Sequence, residues 1–348
     1  MKKLYGIQYL RAFAALAVVV FHAAERTGGH FAIGAAGVDV FFVVSGFIMW
    51  TLAQSRPVTP LQFLRERLER IAPVYWIATA VMLGGAFAGL FPNMKLTLGH
   101  VLGSLFFVPH ISPSNGEIWP VLVQGWTLNY EMFFYAVFAC TLLLPAARRL
   151  PALAGLFILL AVIGLSLDSD NPLFRTYTNP AILEFLLGAV IGKFWLEGRI
   201  PSPASGLALI LLAVFGFVFV GVTYVGFHPF VFGPLAVALV TGVLSLERAG
   251  MISDFRPLTW LGDASYSIYL WHTLAVSVVA KFAPAISLPA PLALVVAVLA
   301  GTAVGVVAYE LLEKPIAAAF KASRRRGAIR ASTMTQPSER GIEAVTKT

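Results

Sequence analysis

Between Arg199 and Glu247 the chain carries no Asp, Glu, Lys or Arg at all. Backbone that enters hydrocarbon must satisfy its own hydrogen bonds, which leaves helices and closed barrels as the available forms. This segment is long enough for two helical passes of about 20 apolar residues each. Gly226-Phe227-His228-Pro229 supplies the turn between them. Applied along the whole chain, the same criterion predicts ten spans. They lie at roughly 6–24, 36–53, 72–91, 125–145, 151–167, 180–196, 204–224, 229–246, 265–283 and 289–312. The segment 96–110 is apolar but short, and is expected to be interfacial or re-entrant rather than an eleventh span.

Composition supports this. Of 348 residues 58% are hydrophobic and 12% charged, about half the ~25% charge of soluble domains. No water-soluble fold hides so much apolar surface. Disordered and collagen-like classes are excluded for the chain as a whole, and so is a nucleic-acid-binding domain. One cysteine, Cys140, rules out an internal disulfide framework and a cysteine-rich zinc site. The expected fold class is all-α: a polytopic membrane protein with residues 1–316 as its transmembrane domain. Residues 317–348 read as a basic, disordered tail.

A net charge of +8 takes its meaning from where the cations fall. Of 25 Lys and Arg, 19 fall in the loops and termini of one face. They include Lys2, Lys3, Arg56, Arg65, Arg67, Arg70, Arg148, Arg149, Arg199, Arg248 and Arg256, and all those from Lys314 onward. Only Arg26, Lys95, Arg175 and Lys281 fall opposite. Positive charge accumulates on the cytoplasmic side, so both termini are expected inside a bacterial inner membrane. The Arg324-Arg325-Arg326 cluster suits anionic lipid headgroups. Arg11 interrupts the first apolar run, and Ala23-Ala24-Glu25 is a poor cleavage site, so that segment reads as a retained helix rather than a signal peptide.

Ionisable groups within spans cost about 2.5–3.5 kcal/mol each on insertion scales and require a reason. Arg11 and His22 lie eleven residues apart in the first helix, which puts them ~20° apart in angle and about 16 Å apart along the axis. Either snorkelling and interface roles or a shared functional face would account for them. Asp39 opens the second span and reads as a helix cap, an ion-pair member or a functional acid. Glu131 sits inside the fourth span, where ion pairing and chemistry are equally open. Ser265, Tyr269 and His272 form a polar stripe on the ninth span. Arg67 and Arg70, at i and i+3, suit lipid phosphates or a soluble phosphate ligand equally. Glu310 is expected to pair with Lys314 at i+4. No phosphate loop, His-Glu-x-x-His motif or hydrolase nucleophile elbow is present. His30, His100, His110 and His228 are not at metal-ligand spacings. No metal or tightly held prosthetic group is expected.

Taken in order, these segments resemble the integral-membrane acyltransferase family 3, whose members O-acylate surface glycans. The resemblance rests on Arg11 and His22, on Gly37-Val38-Asp39 through Ser45-Gly46-Phe47, and on Arg67-Leu68-Glu69-Arg70-Ile71 with Pro73 and Tyr75-Trp76. It continues through Trp126-Thr127-Leu128 to Glu131 and Phe134-Tyr135, then Leu261-Gly262 with Ser265-Tyr266, Tyr269-Leu270 and His272, and Glu313-Lys314-Pro315. Within the family the chain is most similar to short exopolysaccharide O-acetyltransferases. Thr127 stands where serine is usual and keeps the hydroxyl.

The resemblance implies transfer of an acyl group, acetyl in the first instance, from cytoplasmic acyl-CoA as cosubstrate. The acceptor would be a polysaccharide or its lipid-linked precursor on the opposite side. It further implies Arg11, Arg67 and Arg70 as the CoA-binding residues and His22 as base or transient acyl carrier, with Glu131 or Asp39 orienting it or binding sugar. Trp126, Tyr269 and His272 would contact substrate. The segment from Pro109 to Trp126, with Asn115, Glu117, Trp119 and Gln124, suits either sugar contacts or an interfacial aromatic belt. Succinyl transfer, and a transporter of glycans or organic anions, are the alternatives.

Overall fold

The computed structural model describes residues 3–223 and 229–335. Most of the turn expected at Gly226-Phe227-His228 lies outside them, as do Lys2 and residues 336–348. Among the described residues there is no β-strand, and the fold is all-α. The helices are α1 (Tyr5–Thr27), α2 (Gly37–Ser55), α3 (Pro60–Phe87), α4 (Leu98–Leu105), α5 (Gly125–Thr141), α6 (Ala146–Ser166) and α7 (Pro172–Tyr177). There follow α8 (Ile182–Leu196), α9 (Pro203–Thr223), α10 (Pro229–Arg248), α11 (Arg256–Phe282), α12 (Ala290–Ala308) and α13 (Lys314–Thr335).

Each of the ten expected spans coincides with one helix. Nine helical segments are long and apolar enough to cross a membrane among the described residues. The tenth, α5, has 17 residues, at the short end of the ~17–25 that can span. α4 has 8 residues, about 12 Å of rise, so it cannot cross. Two helices begin earlier than their apolar windows. α3 starts at Pro60, with Thr59 accepting a hydrogen bond from the Gln62 amide as cap, and α11 starts at Arg256. Both carry polar first turns that an apolar window passes over. Past the transmembrane domain, α13 runs from Lys314 to Thr335. Its Ala, Lys and Arg residues are strong helix formers.

α1 and α11 lie side by side and run in the same direction, and this contact fixes the register of the site. Gly262 is where the two backbones meet: a Cβ there would lie 2.2 Å from the Gln8 carbonyl oxygen. Further along, Ala15 and Val19 pack with Ala264 and Ile268. Further on, His22 meets His272, and Arg26 donates to Ser277 Oγ at 2.9 Å. α12 covers the other side of α11. A second close pair, α2 and α8, crosses at Gly46 and Gly188, the small-residue packing that lipid-embedded helices use.

α3 and α4 are tied through side chains. Tyr75 donates to the Ser104 carbonyl at 3.1 Å, and Trp76 Nε1 to that of Leu105 at 2.9 Å. After α12, a π-helical turn spans Tyr309–Glu313. It turns two carboxylates toward α11: Glu310 accepts from Trp260 Nε1 at 2.8 Å and Glu313 from Ser267 Oγ at 2.6 Å. Glu310 also holds Lys314 at 2.7 Å, as its spacing predicts.

Candidate active site

A chamber of about 100 Å³, room for several waters, lies among α1, α2, α3, α5 and α11. α2 supplies one wall through Val38, Phe41, Phe42, Ser45 and Met49, an i, i+3, i+4 face. The polar lining includes Arg11, Arg70, Glu131, Tyr135, Thr127, Ser265 and Tyr269. Arg11 is buried and within 3.3 Å of Gln8 Oε1. Arg70 lies one turn beyond Arg67 and is exposed. Glu131 accepts hydrogen bonds from Ser45 Oγ, at 3.3 Å, and from the Tyr135 hydroxyl. Tyr269 donates to the Gln124 carbonyl at 3.3 Å and stands 3.1 Å from Thr127 Oγ1. The hydroxyl that Thr127 retains is therefore in use.

The remaining expected residues fall elsewhere. Arg67 is buried below the chamber, its guanidinium 5.9 Å from the centre of the Phe63 ring and its Nε without a partner. Asp39 shares a face of α2 with Val43 and Gly46, which turns it to α8, where it faces Glu184; both are buried. Trp126 packs edge-on against Tyr130 at 5.8 Å. His272 is fully buried. Its Nε2 lies 3.1 Å from His22 Nδ1. Neither Glu131 nor Asp39 hydrogen-bonds His22: Glu131 is taken up by Ser45 and Tyr135, and Asp39 looks away. The side chain nearest His22 Nδ1 is the imidazole of His272.

Beyond His22, on the face opposite the basic one, a second cavity of about 430 Å³ opens, a volume typical of small-ligand sites. Arg26, one helical turn past His22, lines it with Asn93, His100, Ser112, Asn115 and Trp119. Its floor is fixed by Ser104, whose hydroxyl accepts from the Val121 amide at 2.8 Å, and by a His100–His110 contact of 2.8 Å. Outside the membrane-spanning segments, the His100 imidazole is held below its ordinary value, by burial first and by His110 second. Thus α1 alone carries Arg11 at one cavity, Arg26 at the other and His22 between them.

Sequence reasoning missed three contacts: Gln8 beside Arg11, Glu313 on Ser267, and Glu184 facing Asp39. Gln8 was visible only as a helical i–3 neighbour of Arg11. Glu313 and Glu184 needed the tertiary register.

The family model described as an acyltransferase domain matches residues 4–310. The chain belongs to this acyltransferase family. It is 57% identical over 306 residues to an exopolysaccharide production protein, ExoZ, of Rhizobium meliloti, covering 88% of this chain and 96% of that one. It is 29% identical over 292 residues to a putative membrane-bound transacylase, BcsY, of Komagataeibacter xylinus, covering 76% and 71%. It is 27% identical over 305 residues to the O-acetyltransferase OatA of Staphylococcus aureus, covering 77% of this chain but 49% of the relative, about half its length. No solved structure matches. The protein is a multi-pass membrane acyltransferase.

Proposed function

We propose that the protein transfers an acetyl group from acetyl-CoA, taken from the cytoplasmic side, to a hydroxyl of a cell-surface polysaccharide or its lipid-linked precursor. The observation that carries this is the line along α1, with a cationic chamber at one end, an imidazole between, and a polar, aromatic cavity at the other. Arg70 and Arg11 suit phosphate and carbonyl oxygens of a CoA donor. The ~16 Å from Arg11 to His22 is comparable to an extended pantetheine arm. Trp119 offers a stacking face, and Asn115, Asn93 and Arg26 offer the donors that sugar hydroxyls need. The name O-acetyltransferase borne by one relative favours acetyl over succinyl.

His22 acts as general base. It takes the proton of the attacking sugar hydroxyl as that oxygen bonds to the thioester carbonyl, then gives it to the departing thiolate, leaving ester and free thiol. Purified protein in proteoliposomes is expected to consume acetyl-CoA when acceptor glycan is present, and His22→Ala to lower the rate about 10²–10⁴-fold. Mass spectrometry of the surface glycan from deletion and complemented strains identifies the group and the acceptor. Solute flux without any acyl donor, together with unaltered glycan, would overturn this reaction.

A further inference from the structure

The strongest unassigned feature is the imidazole pair itself. His272 Nδ1 lies 2.9 Å from the Ile268 carbonyl oxygen, a group that can only accept, so this nitrogen carries a hydrogen. The ring is fully buried, its ring contacts are with His22 and Tyr269, and Gly301 of α12 packs against its Cβ. With no carboxylate at hand to balance a charge, it is neutral, which leaves its Nε2 as a bare lone pair. That lone pair is 3.1 Å from His22 Nδ1. Two lone pairs do not approach so closely, so His22 Nδ1 must supply the hydrogen. The Val18 carbonyl oxygen, 3.0 Å from the same nitrogen, demands it too. Both neighbours fix one tautomer, and among the described residues His22 Nε2 has no hydrogen-bond partner.

We infer that His272 is the positioning residue for His22: it holds the proton on His22 Nδ1 so that Nε2 presents the lone pair that takes the sugar proton. A serine-hydrolase triad uses a carboxylate for this, which also stabilises the imidazolium. An imidazole acceptor sets the tautomer and ring angle without adding a buried charge to the membrane interior. The flanking contacts hold the geometry: Ala15 and Val19 against Ala264 and Ile268 before the pair, and Arg26 on Ser277 after it.

The inference rests on the proposed role of His22, and its test separates the two. Solid-state ¹⁵N spectra of histidine-labelled protein in proteoliposomes report which ring nitrogen holds the proton, and His22→Ala identifies the His22 signals. The wild type is expected to show a protonated Nδ1 and a bare Nε2 for His22. The Nε2-protonated tautomer would overturn the inference whatever the activity. His272→Leu removes the acceptor and is expected to release the Nδ1-only tautomer and to lower kcat about 10²–10³-fold, with KM for acetyl-CoA unchanged. His272→Gln keeps an acceptor oxygen at a similar reach and is expected to recover activity to within about tenfold of wild type. Full activity and an unaltered His22 tautomer in His272→Leu would also overturn it. If His22→Ala is active while the wild-type tautomer is as expected, the base assignment fails and the hydrogen-bonding inference stands.

Discussion

Arg67 and Arg70 show how two residues alike in sequence part company in the fold. Arg70 reaches the chamber, so Arg70→Ala is expected to raise KM for acetyl-CoA about tenfold while leaving kcat within about twofold, the worth of one charge-assisted hydrogen bond to substrate. Donors lacking the 3′-phosphate, compared across both proteins, show which phosphate is read. Arg67 lies over Phe63 in a buried position, so Arg67→Ala loses packing with the charge. Its expected signature is a lower unfolding temperature in detergent. Equal KM effects for the two variants would restore the joint clamp that their i, i+3 spacing suggests. The sequence makes these cations visible because charge in apolar surroundings is rare. It cannot show which of them meets a cavity, since that depends on the rotation of α3 against α2 and α5. The same holds for Asp39, whose place at the start of a span is plain while its turn toward Glu184 is not. His100 carries a different prediction. Its pKa is lowered below 6.5 in the fold, so the unfolded chain binds more protons there as the solution becomes acidic. The contribution is whole above pH ~6.5 and is lost as pH falls through the folded value. Hydrogen-exchange protection at Leu98–Leu105 and residues 108–123, taken relative to the intrinsic exchange rate at each pH, is expected to fall toward pH 5 in wild type and to stay flat in His100→Gln. Protection independent of pH in wild type would remove the effect.

At the scale of elements, the helices were legible and their contacts were not. Apolar length alone locates the helices that match all ten expected spans, nine of them long and apolar enough to cross among the described residues, because backbone in lipid must satisfy its own hydrogen bonds and runs of about 20 apolar residues suit helices. Their ends drift where a first turn is polar, as at Pro60 and Arg256. Which helices touch depends on small residues whose meaning appears only in pairs. Gly46 and Gly188 are such a pair: a Cβ on Gly46 would lie 2.0 Å from the Phe185 carbonyl oxygen, and one on Gly188 2.0 Å from that of Val43. Neither oxygen can move without moving its helix. Gly46→Val and Gly188→Val are therefore expected to destabilise by at least the ~1–3 kcal/mol typical of overpacking, seen as loss of monodisperse protein in detergent. Gly155 on α6 has open space around its Cβ position, so Gly155→Ala is expected to be neutral or stabilising by up to ~1 kcal/mol. Equal tolerance at all three positions would mean that α2 and α8 are not held at backbone contact.

Across the whole molecule, the proposed reaction requires one orientation. The chamber holding Arg11 and Arg70 belongs to the basic face, and acyl-CoA exists only in the cytoplasm and does not cross membranes. If the positive-inside bias sets the topology, Glu117 beside the second cavity faces outward, and Met251, exposed between α10 and α11, faces inward. In a Cys140→Ala background, a membrane-impermeant maleimide is expected to label Glu117→Cys in intact spheroplasts and Met251→Cys only after lysis. Inverted vesicles supplied with external acetyl-CoA should then acetylate acceptor sealed in the lumen, and right-side-out vesicles should not use external donor. The reversed labelling pattern would turn the cationic chamber toward a compartment without acyl-CoA, and the donor assignment would fail with it. Labelling as expected, with transfer from either side, would keep the topology and show that the line from Arg11 to Arg26 is open to donor at both ends. The position of His22 between two cavities would then mark a shared channel rather than a meeting point of two sided substrates.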